Sequence, residues 1–167
     1  MEIQRGRSAD ALGLADELVN IGDKLREGSE APFARVLRSL AAYLNGERDE
    51  SASLDAALRD LRAADAKHRL AYALTRAAEE DLRNGVADRA KERSSEALAI
   101  ARALGQPSEI ALAHIVLARA ASAAGDDATL KRQLTDLATE SLRGVSAEVR
   151  EILESLLTGA GGRLDDR

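Results

Sequence analysis

Four groups of residues in this chain have the types that chemistry requires. They are the histidines His68 and His114, the carboxylate run Glu79-Glu80-Asp81, the cluster Gly159-Ala160-Gly161-Gly162-Arg163, and the basic triplet Arg5-Gly6-Arg7. A metal site or a general base needs groups that converge, and neither histidine belongs to an HExxH motif or a two-histidine metal spacing. His68 falls in the polar first turn of a predicted helix and His114 in a packing position, so each reads as structural. Consecutive carboxylates on a helix point in different directions, which makes Glu79-Glu80-Asp81 a solvated face rather than an acid/base pair. A phosphate cradle needs glycines that open a helix, whereas the glycine cluster follows one and reads as a tail. No catalytic residue, metal ligand or cofactor site emerges, and the chain reads as a non-enzyme.

Composition narrows the remaining classes. The net charge of −5 disfavours a nucleic-acid or anionic-membrane partner. No cysteine is present, so thiol chemistry, disulfides and cysteine metal sites are excluded. No apolar run is long enough for a signal peptide or a membrane span, so the chain is expected to be cytoplasmic. Apolar residues make up 45% of the chain, yet the only aromatics are Phe33, Tyr43 and Tyr72. Ala and Leu dominate, and both head the helix propensity scale.

The elements follow from punctuation and stripe. Gly46, Gly85 and Gly125 fall 39 and 40 residues apart, each closing one Ala/Leu-rich helical pattern before another begins. Glycine costs ~1 kcal/mol inside a helix but is favoured just past its end. Gly28, Gly46, Gly85, Gly105, Gly125, Gly144 and Gly159 then delimit helices near 10–26, 31–44, 51–64, 67–84, 86–104, 108–124, 127–143 and 146–158. The break between the third and fourth, at Asp65-Ala66-Lys67-His68, contains no glycine or proline. Only the repeat period demands a turn there, and one long helix is the alternative. Residues 1–9 read as a disordered leader and 159–167 as a disordered tail. The short loops make consecutive helices antiparallel neighbours.

A period of this size means stacked helical hairpins. One register reads Leu74-x-x-Ala77-Ala78, Gly85, Ala90 and Ala97-Leu98. The next reads His114-x-x-Leu117-Ala118, Ala121, Gly125, Leu130 and Leu137-Ala138. This pattern resembles the tetratricopeptide repeat, over residues 10–158, in the long-helix variant found in large bacterial regulators. The usual aromatic positions are mostly alanine here.

The resemblance implies an all-α fold, a right-handed α-solenoid of about eight antiparallel helices. It also implies a non-catalytic protein–protein interaction module, the C-terminal partner-sensing region of a larger regulator. The concave groove is expected along the second, fourth, sixth and eighth helices, at Phe33, Tyr43, Tyr72, Thr75, Glu79, Leu112, Ile115 and Arg119. Exposed Leu112 and Ile115 beside Tyr72 would give a peptide-binding trough; ordinary interhelix contacts are the competing reading. The Lys/Asn clamp of chaperone-binding relatives is absent.

The first helix carries two apolar stripes, too many for one covered face. Leu14, Leu18, Ile21 and Leu25 form the edge that would pack on an upstream domain or a second copy, giving a homodimer. Sensing of a small effector in a groove is a third expectation.

Overall fold

The computed structural model describes residues 8–25, 28–47, 50–140 and 143–164. Among them every regular element is a helix: α1 (Ser8–Leu25), α2 (Glu30–Leu44), α3 (Ser51–Ala63), α4 (Lys67–Arg83), α5 (Ala87–Leu104), α6 (Pro107–Ala123), α7 (Asp127–Thr139) and α8 (Ala147–Leu164). The fold is all-α. No helix among the described residues is long and apolar enough to cross a membrane.

The break between α3 and α4 is present. Asp65 makes it by taking a φ of 50°, the one non-glycine residue with positive φ among those described. Gly28, Gly46, Gly85, Gly105, Gly125 and Gly144 do the same at the other ends, so a left-handed residue recurs every 18 to 20 positions. The closing bonds recur too. The amides of Glu47, Ala66, Val86, Gln106 and Asp126 each donate to the carbonyl five residues back, at 3.2, 3.5, 2.8, 2.9 and 2.9 Å. This is the Schellman closure, which satisfies carbonyls that the helix end would otherwise orphan.

The C-terminal end differs from expectation. α8 continues to Leu164, so residues 159–164, read from the sequence as tail, are helical backbone. Glycine weakens a helix by about 1 kcal/mol but does not forbid one. The expected leader lies mostly outside the described residues, although α1 already begins at Ser8.

Packing runs in series. α2 touches α4, α4 touches α6 and α6 touches α8, while α2, α4 and α6 also pack on the helices before and after them in the chain. The helices α1, α3, α5 and α7 do not meet one another through their backbones. Side chains bridge α3 to α5 and α5 to the end of α7 instead, between residues 38 positions apart: Ser51 with Arg89, Asp55 with Arg93, and Arg102 with Glu140, the same interval that joins Tyr43 of α2 to Asp81 of α4.

The main core lies among α2 to α6, around Leu40, Leu54, Leu58, Leu74 and Leu117. A second cluster joins α6 to α7 and α8 through Leu112, Ile115, Leu137, Val149 and Leu153. Many facing positions are alanine, such as Ala73, Ala77, Ala97 and Ala113, which lets the helix backbones approach closely.

Candidate functional site

Asp81 anchors the most developed polar cluster. It lies seven residues after Leu74 and four after Ala77, so helical periodicity brings it onto the core stripe of α4. Burial of an unpaired carboxylate is costly, and three donors offset it. The Tyr43 hydroxyl and Arg89 Nε both donate to Oδ1 at 2.8 Å, and Arg93 Nη1 donates to Oδ2 at 2.7 Å. Arg89 also donates to the Tyr43 oxygen at 2.8 Å and to Ser51, and Arg93 reaches Asp55 on α3. Burial, and then Asp81, push the Tyr43 hydroxyl above the usual tyrosine range. The cluster ties α2, α3, α4 and α5 together and gives both oxygens of Asp81 a donor. The reading of Glu79-Glu80-Asp81 as a solvated face is therefore corrected: Asp81 is fully buried, and Glu79 and Glu80 are half-buried. The position of Asp81 on the apolar stripe was the signal that could have revealed it.

His114 is fully buried on α6. Gln133 Oε1 lies 2.8 Å from its Nδ1 and Arg102 Nη2 lies 3.1 Å from its Nε2. Arginine can only donate and the amide oxygen can only accept, which fixes the proton on Nδ1. Both ring nitrogens are thus engaged, and neither is open to a metal or a substrate proton. His68 is exposed in the first turn of α4. Among the described residues no group of three His, Asp or Glu side chains converges on a point where a metal ion would bind.

A third cluster occupies the side of α4 turned away from Leu74. Arg76 donates to Glu79 at 3.2 Å and stands 5.4 Å from the centre of the Tyr72 ring. Arg76 is only 8% exposed, and its Nε, the Tyr72 hydroxyl and Glu109 Oε2 are buried without a hydrogen-bond partner. Burial pushes the Glu109 carboxyl above the usual carboxylate range, against the pull of Arg76. Burial raises the Tyr72 hydroxyl in the same way. Such a cluster can hold a polar group, but it is tightly enclosed.

The expected groove residues do not form one open trough. Leu112 and Ile115, taken from the sequence as exposed, are 1% and 0% exposed. They sit beneath α8 and the end of α7, against Leu137, Val145, Val149 and Leu153. The competing reading, ordinary interhelix contact, is the one the structure supports. Tyr43 is buried in the Asp81 cluster, and buried Thr75 donates its hydroxyl to the Ala71 carbonyl at 2.9 Å. Phe33 is half-buried beneath Arg69, whose guanidinium carbon lies 5.1 Å from the ring centre. Tyr72 and Glu79 meet in the enclosed cluster, and Arg119 is exposed and apart.

The first helix behaves as its two stripes require. Leu12, Ala15 and Val19 turn toward α2, which an Arg38–Asp16 ion pair of 2.9 Å also fastens to α1. The other stripe is open: Leu14 is 52% exposed, Leu18 44% and Ile21 53%. The side chain of Leu25 lies outside the described residues. Val86 and Leu104 are the other exposed large apolar residues among those described, and they stand at opposite ends of α5. Comparison of the chain with protein-family models, with curated proteins and with solved structures found no match.

Proposed function

We propose that this chain is a non-catalytic protein-interaction module, a tetratricopeptide-like right-handed row of helical hairpins that docks a partner through α1. The serial packing of α2, α4, α6 and α8 and the bonds between residues 38 apart support the architecture. The observation that carries the role is the exposed stripe of Leu14, Leu18 and Ile21.

Its counterpart elsewhere in the molecule indicates what kind of surface it needs. Seventy-nine positions onward, Leu14 and Leu18 correspond to Arg93 and Ala97 of α5, both buried. There α4 covers them, with Asp81 holding Arg93 and the Leu70–Leu74–Ala77 stripe packed with Ala97. The face of α1 is thus of the kind that takes another helix. We assign it to the same face of a second copy. The steps of four, three and four from Leu14 through Leu18 and Ile21 to Leu25 are the spacing of a two-helix seam. Such a stripe is self-complementary about a two-fold axis.

Light scattering on a dilution series tests the assignment. A dimer of the 17.8 kDa chain is expected, converted to monomer by Leu18→Glu with Ile21→Glu while helical circular dichroism is retained. A wild-type chain that stays monomeric at every concentration, or a dimer indifferent to both substitutions, overturns it.

A further inference from the structure

The seam between α3 and α5 and the seam between α5 and α7 use the same positions and are filled differently. In the first, Asp81, Arg89 and Arg93 occupy the space with a closed ionic cluster. Adding 40, the interval from Gly85 to Gly125, turns these three positions into Ala121, Thr129 and Gln133. The buried carboxylate becomes a methyl, and the two guanidiniums become short neutral groups. All three replacements line a cavity of about 300 Å³ between α5, α6 and α7. That volume lies at the small end of the range for ligand sites.

The chemistry of its wall is asymmetric. Leu98, Leu117 and Ala120 make an apolar floor beside Ala121. Gln133 is a buried polar side chain that gives its carbonyl oxygen to His114, leaving its amide NH₂ as a donor on the cavity wall. Lys91 and Arg132 stand exposed at the rim, and among the described residues neither has a carboxylate within 4.0 Å. Two carboxylates share the cavity wall: Asp88, in the first turn of α5, and Asp126, which accepts the Thr129 amide at 2.9 Å as the cap of α7 and is also drawn by Lys91 and Arg132. The Gln133 donor and the two cations give an acceptor-rich anion with an apolar body a place above the hydrocarbon floor, where it competes with Asp126 for Lys91 and Arg132.

We propose that this cavity binds a small aliphatic carboxylate, its chain on the Leu98–Leu117–Ala121 floor and its carboxylate held by the Gln133 amide, Lys91 and Arg132. The ligand replaces the ionic filling that the preceding seam carries in its own side chains. It would bridge α5 and α7, which make no backbone contact of their own. The inference does not depend on α1, and dimer formation is not required for it.

Octanoate is the probe, with octylamine and octanol as controls, read by chemical-shift titration and by thermal melting of the full chain. Saturable octanoate binding with a raised melting temperature is expected, and neither control should match it. Lys91→Glu with Arg132→Glu changes two exposed residues and should weaken octanoate by about tenfold or more. Ala121→Phe should abolish binding by filling the floor, and the surface variant decides the matter if that protein does not fold. Absence of saturable octanoate binding overturns the proposal. So does equal binding of octylamine, or binding that the Lys91 and Arg132 substitutions leave unchanged.

Discussion

At the scale of single residues, the ionic groups of this chain divide by burial into those that matter for folding and those that do not. Removing one partner of a buried ion pair leaves an uncompensated charge, typically about 3–5 kcal/mol, while an exposed pair contributes about 0–1 kcal/mol. Asp81→Ala would leave Arg93 with Asp55 alone and deprive Arg89 and Tyr43 of their shared carboxylate. A loss of about 3–5 kcal/mol in urea unfolding is expected for it, against less than about 1 kcal/mol for Glu96→Ala in the exposed Arg62–Glu96 pair of 2.6 Å. Similar losses for the two would show that the Asp81 cluster is not the tie described.

Glu109 works in the opposite sense to Asp81. Burial raises its folded-state pKa above the ordinary value of 4.5, so the folded protein binds its proton more tightly than the unfolded chain does. The contribution to stability is full below the unfolded pKa and is lost as pH rises through the raised folded value. Glu109→Gln removes that loss, so the variant should gain on wild type as pH climbs from 4 through the carboxylate range to 7. Parallel stability curves across that interval would contradict it.

Elements were legible wherever glycine marked their ends. Each of Gly46, Gly85, Gly105 and Gly125 both stops a helix and takes positive φ, because a residue without Cβ adopts the left-handed region at little cost. Asp65 performs the same role with a side chain, which is why the α3–α4 break rested in the sequence on period alone. An L-residue in that conformation costs about 1–2 kcal/mol, somewhat less for aspartate. Asp65→Gly should therefore stabilise the protein by about 0.5–1 kcal/mol, after the lost exposed Lys67–Asp65 pair of 3.3 Å is counted. Thermal melting checks it, and an unchanged or lower midpoint would mean that Asp65 carries no strain.

What the sequence did not disclose was phase around the inner helices. α6 buries Ile110 through Ala118 without interruption, since α4, α5, α7 and α8 surround it. A helix covered on all sides shows no polar face from which to count. Leu112 and Ile115 were consequently assigned to a trough that α8 closes. On α1, by contrast, one partner covers one stripe, and the second stripe stood out as surplus.

At the scale of the whole molecule, backbone contacts connect each helix only with its near neighbours in the series, and among the described residues none joins α1 to α4 with α7 or α8. Stability in such an arrangement is a sum of local interfaces rather than a property of one shared core. Two clusters make this concrete: the core of α2 to α6 and the separate Leu112–Ile115–Val149–Leu153 group share α6 but few other partners. Ile115→Ala deletes a fully buried side chain from the second cluster, a change worth about 2–5 kcal/mol at that site. Native-state hydrogen exchange should then lose protection in α7 and α8, while amides of α2 to α4 keep theirs. Leu58→Ala, in the first cluster, should reverse the pattern and deprotect α2 to α5 most. A uniform loss of protection in both variants would mean that the eight helices melt as one unit, and the serial reading of their packing would fall with it.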